Sequence, residues 1–202
     1  RLDEADRRRL AAIASLAALA IDRARLSSTA AERSEWFERM AHTDPLTGLA
    51  NHRTFARILE LELARAGRQG GEVSVAIFDV DDFTRTNELA GHAAGDDILR
   101  AIASVLAESV RLVDTVARYG GDEFVLVAPG AAGAMVARRV LEALAALSPV
   151  GDRRVSACAG VARFPADATT GDDLLAAAEE ALGRARESGQ GRLVEAGVRS
   201  GS

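Results

Sequence analysis

Apolar residues along this chain follow two rhythms, and their alternation lays out the elements. Spacings of three and four at Leu10, Ile13, Ala17, Ala20 and Ala24 predict one long helix over residues 2–41, with charge on its other faces. Residues 42–55 ("HTDPLTGLANHRTF") break that pattern. Asp44-Pro45 and Gly48 favour turns there, and Asn51 can cap a helix running to about Ala66. After a glycine-rich loop at 67–72, "VSVAIFDV" (73–80) is β-branched and nearly all apolar, which predicts a buried strand. Helical spacing returns over 94–109, 131–147 and 170–189, the last with Thr170 at its start and Gly189 at its end. Strands are predicted at 112–118 and 123–128, paired as a hairpin around Gly120-Gly121, then at 153–164 and in the closing "GRLVEA".

Strands alternate with helices, yet one adjacent pair is a hairpin, so the sheet cannot be wholly parallel. The predicted class is α/β in the α+β sense: a central mixed or antiparallel sheet flanked by helices, with a long N-terminal helix ahead of it. A boundary near residue 41 divides that helix (1–41) from the sheet-containing domain (42–202). A 202-residue chain accommodates this as one ordinary domain with an appended element. The N-terminal helix either packs on its own domain or forms a dimeric stalk; forty helical residues exceed what a small domain needs and favour the stalk.

Composition narrows the partners. At 48% hydrophobic and 27% charged, the chain can bury a sizeable core and stay soluble. A net charge of −5 gives no general electrostatic reason to bind a nucleic acid polymer or an anionic membrane. The longest apolar run, residues 11–21, is too short to span a bilayer, and no signal-peptide pattern is present. The single cysteine, Cys158, reads as a small buried hydrophobe and fits a reducing cytoplasm. No lysine occurs; every basic residue is arginine. His42 and His92 have no second histidine or cysteine at zinc-like spacing.

The chemistry concentrates in two stretches. In "FDVDDF" (78–83), strand alternation points Asp79 and Asp81 to one face where a buried strand ends. Acids there are either solvated loop charges or a site for a hard divalent cation, which carboxylate and carbonyl oxygens suit. "VARYGGDEFVLV" (116–127) supplies the complement, with Asp122 and Glu123 side by side at a turn. If that hairpin lies beside strand 73–80, Asp122 comes next to Asp79. Two carboxylates from different strands can then hold one or two metal ions for phosphoryl transfer. Gly120 and Gly121 permit positive φ and leave room for a flat base or ribose. Alone, a Gly-Gly-Asp turn is an ordinary hairpin.

The ordered set "DPLTGLANHR", "FDVDDF", "NELAGHAAGD", "ARYGGDEF", "AGVARFP" and "AEEALGRARESGQGR" resembles the GGDEF family, the diguanylate cyclases, which condense two GTP into cyclic di-GMP. The similarity runs from residue 44 to near residue 193. It implies a palm-like nucleotidyl cyclase fold with Mg2+ (or Mn2+) held by Asp79, Asp122 and the Val80 carbonyl. Asp79, Asp122 and Glu123 would form the catalytic set, Glu123 lying near the attacking ribose hydroxyl. Asn87 and Asp96 would read the guanine edge; an acceptor at Asp96 suits guanine's N–H donors and repels adenine. Backbone N–H groups around Asp82 and Phe83 would cradle phosphates, Gly120 and Gly121 would admit substrate, and Arg186 would pair with terminal phosphates.

The resemblance also makes "RLVD" (111–114), otherwise a surface charge pair, an inhibitory site where Arg111 and Asp114 bind the product. It further implies a homodimer, brought together by the N-terminal helix, whose sequence resembles the last helix of a GAF-type sensor. Departures from the family pattern are Thr84 for a usual lysine, Gln190 for arginine, Gly183 for tyrosine, Glu88 for aspartate and His52 for arginine. The first two remove phosphate-binding cations, so a weaker hold on GTP is expected. Two rivals stand beside the enzyme: a degenerate domain that binds GTP or cyclic di-GMP as a regulatory module, and a purely structural dimerisation module.

Overall fold

The structure, a computed structural model, describes residues 41–147, 149 and 154–197. The helix expected over 2–41 therefore lies, apart from its last residue, outside the described residues, and with it the stalk, the GAF-type likeness and the dimer contact.

From residue 50 onward the chain runs β1 (Ala50–Asn51), α1 (His52–Gln69), β2 (Val73–Val80), α2 (Phe83–Ala90), α3 (His92–Ser109), β3 (Thr115–Gly120), β4 (Glu123–Pro129), α4 (Gly133–Ala146), β5 (Ala157–Phe164), α5 (Gly171–Glu187) and β6 (Leu193–Glu195). The six strands form one sheet in the order β1-β3-β4-β2-β5-β6. β2 is antiparallel to both β4 and β5, whereas β1 and β6 join their neighbours parallel, so the sheet is mixed as expected.

β2 is buried on both faces, which is why its sequence is a continuous apolar run rather than an alternation. Ala76, Phe78 and Val80 point to one face with Phe124 and Leu126, where α3 and α4 cover them with Ile98, Ile102, Val136 and Val140. Val73, Val75 and Ile77 point to the other with Val125 and Val127, under Phe55 and Leu59 of α1 and Leu174, Ala178 and Leu182 of α5. Each Val, Leu, Ile or Phe among them contributes roughly 1.5–3 kcal/mol on removal from water, before the entropy of ordering is set against it.

The predicted caps are in place. Asn51 Oδ1 accepts the Thr54 N–H at 3.0 Å to start α1, and Thr170 Oγ1 accepts that of Asp173 at 3.2 Å to start α5. α1 continues past Ala66 and ends where Gly70 turns left-handed. The hairpin begins at Thr115 and β5 at Ala157, later than the apolar pattern suggested. Two elements are additional to the expected set: the two-residue β1 and the short helix α2.

α5 lies directly on β5 because residue 160 has no side chain. A Cβ at Gly160 would stand 2.1 Å from the Ala178 carbonyl oxygen and 2.2 Å from the Leu182 nitrogen. This contact fixes the height of α5 above the sheet, and so the reach of Arg186 in its last turn.

Candidate active site at the end of the central strand

Side-chain parity on β2 puts Asp79 on the α5 face, because Val75 and Ile77 already point there. Its antiparallel partner on β4 is Glu123, and its partner on β5 is Cys158. Just before β4, the Asp122 carbonyl accepts the Val80 N–H at 3.3 Å, so the GGDE turn is tied to the end of β2. Asp79, Asp122 and Glu123 are thus brought together as the sequence suggested. Gly121 carries the turn at φ +49°, a left-handed conformation that glycine adopts without steric penalty.

Arg186 reaches down from α5 to this cluster. Its Nε donates to Asp79 Oδ1 at 3.0 Å, a terminal nitrogen pairs with Asp79 Oδ2, and the same nitrogen lies 4.0 Å from Glu123 Oε1. Burial pushes the Asp79 carboxyl above its ordinary value; Arg186 opposes this, while Asp122 and Asp81 add to it. Glu123 is raised as well, first by burial and then by the Asp79 charge. The Asp79 side chain is 15% exposed against 46% for Arg186, so the carboxylate forms the floor and the guanidinium the rim.

The donor set fits a hard divalent cation: the Asp79 and Asp122 carboxylates with the Val80 carbonyl, all oxygen, at a point where negative charge is already strained. Among the described residues no three acidic, histidine or cysteine side chains converge as a cage. Magnesium is commonly held in that way, by one or two carboxylates with substrate phosphates completing the shell.

Asp81 follows the end of β2 at Val80 and stays on the α5 side with Asp79, whose carboxyl it helps to raise. Its Oδ2 accepts Ser156 Oγ at 2.7 Å and the Gly191 N–H at 2.9 Å, tying the β2–α2 turn to β5 and to the loop after α5. Asp82 follows at φ +55°, and its Oδ2 accepts Gln190 Nε2 at 2.7 Å. The Cys158 thiol donates to the Gly189 carbonyl at 3.2 Å, beneath the same loop. Gln190, noted in the sequence only as a lost cation, therefore holds the turn that opens α2.

Phe83 begins α2 three residues after β2 ends, and the helix start has no side-chain cap, in keeping with a phosphate cradle around Asp82 and Phe83. Asn87 lies on α2, and its Oδ1 is buried with no hydrogen-bond partner among the described residues. Asp96 lies on the first turns of α3, next to Gly95, which packs against Asn87. The two expected base readers thus come from adjacent helices that pack on each other.

Arg111 and Asp114 sit elsewhere. The Asp114 carboxylate accepts the Arg111 N–H at 2.9 Å and the Asp114 N–H donates to the Arg111 carbonyl at 3.0 Å, forming a compact turn with Arg111 exposed. This turn precedes β3, whose far end carries Gly120, so the length of the strand, roughly 17 Å, separates it from the acids.

One tie escaped the sequence reading. Arg118 donates through Nε and a terminal nitrogen to the Gly121 carbonyl, at 3.0 and 2.6 Å, and pairs with Asp44 at 3.3 Å. Asp44 in turn accepts from the Thr47 N–H and hydroxyl, at 2.9 and 2.7 Å. The segment entering the domain is thereby clamped to the turn that bears Asp122.

The family profile described as "Diguanylate cyclase, GGDEF domain" matches residues 41–192, three quarters of the chain. The chain belongs to the GGDEF family. This GGDEF domain is 38% identical over 162 residues to the diguanylate cyclase DgcP of Pseudomonas aeruginosa, covering 76% of this chain and 24% of that protein. It is 35% identical over 163 residues to the response regulator PleD of Caulobacter vibrioides, covering 77% of this chain and 36% of that protein. The chain therefore spans between about a quarter and two fifths of the length of such relatives. Among solved structures, the coiled coil and GGDEF domain of DgcB from Caulobacter crescentus, in complex with c-di-GMP, superimposes with a TM-score of 0.73 at 28% identity, covering 90% of this chain and all of that one. The GGDEF domain of YfiN (TpbB) from Pseudomonas aeruginosa gives a TM-score of 0.70 at 32% identity, covering 75% of this chain and 98% of that one. No helix among the described residues is long and apolar enough to cross a membrane.

Proposed function

We propose that this GGDEF domain, residues 42–202, is a diguanylate cyclase. Two GTP molecules react: each 3′-hydroxyl bonds to the other's α-phosphorus, each α–β phosphate bridge breaks, and two pyrophosphates leave with cyclic di-GMP. The observation that carries this reading is the cross-strand pairing of Asp79 with Glu123, with Asp122 joined to Val80 and Arg186 above them. Bound Mg2+ or Mn2+, held by Asp79, Asp122 and the Val80 carbonyl, would neutralise the triphosphate and polarise the reacting oxygens.

The protein's own groups do the rest. Asn87 and Asp96 grip the guanine edge, and the first N–H groups of α2 cradle phosphate. Glu123 lies beside the attacking hydroxyl, where its raised carboxyl is suited to taking a proton. Arg186, now paired with Asp79, swings to the terminal phosphates when they arrive, since a guanidinium grips phosphate bidentately. Two active sites must face each other, so the working unit is a two-fold dimer gated by the N-terminal helix. Product bound at Arg111 and Asp114 restrains it. The c-di-GMP complex of DgcB supports product binding in this family. Use of GTP and a buried free thiol fit the cytoplasm.

The test is incubation of the purified chain with GTP and Mg2+, with nucleotides separated by chromatography. Cyclic di-GMP should appear and vanish in Asp122→Asn, while the melting temperature stays close to that of the original chain. A variant that turns over GTP undiminished would sink the assignment. The second reading, a GTP- or cyclic di-GMP-binding module without turnover, is favoured by Thr84 and by Gln190 being engaged with Asp82. Tight cyclic di-GMP binding with no product at high protein concentration would select it.

A further inference from the structure

Gly95 lies in the first turns of α3, buried against α2. A Cβ built there would stand 2.1 Å from Asn87 Oδ1, 3.1 Å from Asn87 Cγ and 3.2 Å from Phe83 Cε2. The Asn87 carboxamide thus occupies the volume that any side chain at 95 would need. Its Oδ1 is enclosed, and no described residue offers it a hydrogen bond. A buried polar atom without a partner is costly, so its retention calls for a reason.

The glycine is not there for backbone freedom. Residue 95 is helical with no left-handed φ, a place where alanine is intrinsically the better helix former. What it provides is space, and the group that fills the space is Asn87.

We infer that Gly95 is the positioning residue for base recognition: by lacking a side chain it lets the Asn87 carboxamide lie against α3 beside Asp96, so the two act as one edge against the base. The inference rests on the proposed guanine-reading role of Asn87 and Asp96. Any side chain at 95 displaces the carboxamide, presses the Phe83 ring by a few tenths of an ångström, and leaves Asp96 and the metal ligands in place. The loss therefore falls on base discrimination.

The experiment is calorimetric binding of GTP and ATP, with Mg2+, to the full chain as Gly95→Ala, Asn87→Ala and the double variant, each checked by thermal melting. Steady-state KM and kcat are measured alongside wherever turnover is seen. In Gly95→Ala the preference for GTP over ATP should fall by about tenfold, the scale of one lost hydrogen bond, with KM rising more than kcat falls. In the Asn87→Ala background the same change should add almost nothing, because the group it would strike is gone. Equal, additive losses in both backgrounds overturn the inference, as does an unaltered GTP preference in folded Gly95→Ala. If the original chain itself binds GTP no better than ATP, the guanine-reading assignment fails and this inference fails with it. That outcome differs from the others because it needs no variant.

Discussion

Arg118→Ala offers the sharpest test of how the turn bearing Asp122 is held. The substitution removes two donations to the Gly121 carbonyl and leaves Asp44, 17% exposed, without its cation. Breaking a fully buried pair costs about 3–5 kcal/mol. Residual exposure and the two Thr47 bonds that Asp44 keeps reduce this to about 2–3 kcal/mol. For a domain of this size that is a fall in melting temperature of roughly 5–10 °C.

The pair also carries a pH signature. Burial pushes the Asp44 carboxyl up, but the Thr47 bonds and then Arg118 outweigh it, leaving it below its ordinary 3.8. Its contribution is therefore complete above that value and fades as pH falls through the lower folded value. Chemical denaturation of both proteins at pH 7 and near pH 3 should give a larger difference at pH 7. A melting temperature within about 2 °C of the original, or the same difference at both pH values, would refute the clamp.

Three further outcomes follow from the geometry. Asp79 and Glu123 are raised, so without a cation they cost stability as pH climbs through their folded values; Mg2+ or Mn2+ at neutral pH should raise the melting temperature, and Asp79→Asn should abolish most of that rise. Gly160→Ala drives a methyl group into the backbone of α5 and should cost about 3 kcal/mol or more, seen as a large loss in denaturant midpoint by circular dichroism. Arg111→Ala should remove inhibition by added cyclic di-GMP, and unchanged inhibition would put the regulatory site elsewhere.

What the sequence disclosed, and what it withheld, divides along physical lines. "VSVAIFDV" announced a buried strand, and Asn51 and Thr170 announced helix starts, because each is a local signal with a local cause. α2 did not announce itself: "FTRTNELA" has no apolar stripe, its one buried residue is Thr86, and it starts from an aspartate at positive φ. β1 is two residues long, too short to show a period, and is held by its pairing with β3 and a bridge from Ala50 to Thr43. The acids were legible as a motif, and their register across β2 and β4 agrees with it. Asp81 lies on the side that alternation gave it, but its bonds to Ser156 and Gly191 could not be read from the sequence. The partners of Arg186, Gln190 and Arg118 were not legible at all. Those contacts join residues 107, 108 and 74 positions apart, and no local pattern encodes them.

The central position of β2 has a consequence for how the protein is made. Its neighbours β4 and β5 are supplied by residues 123–129 and 157–164, and Arg186 arrives later still. As the chain leaves a ribosome, β2 emerges with a strongly apolar sequence and no partner on either edge until dozens more residues have followed. Asp79 therefore cannot meet Glu123, Cys158 and Arg186 until nearly the whole domain has been synthesised. A nascent or truncated chain that lacks α5 leaves the Val75 and Ile77 face of the sheet partly uncovered and lacks Arg186. Such a chain is one that chaperones would hold, and it would be inactive without any regulator acting on it.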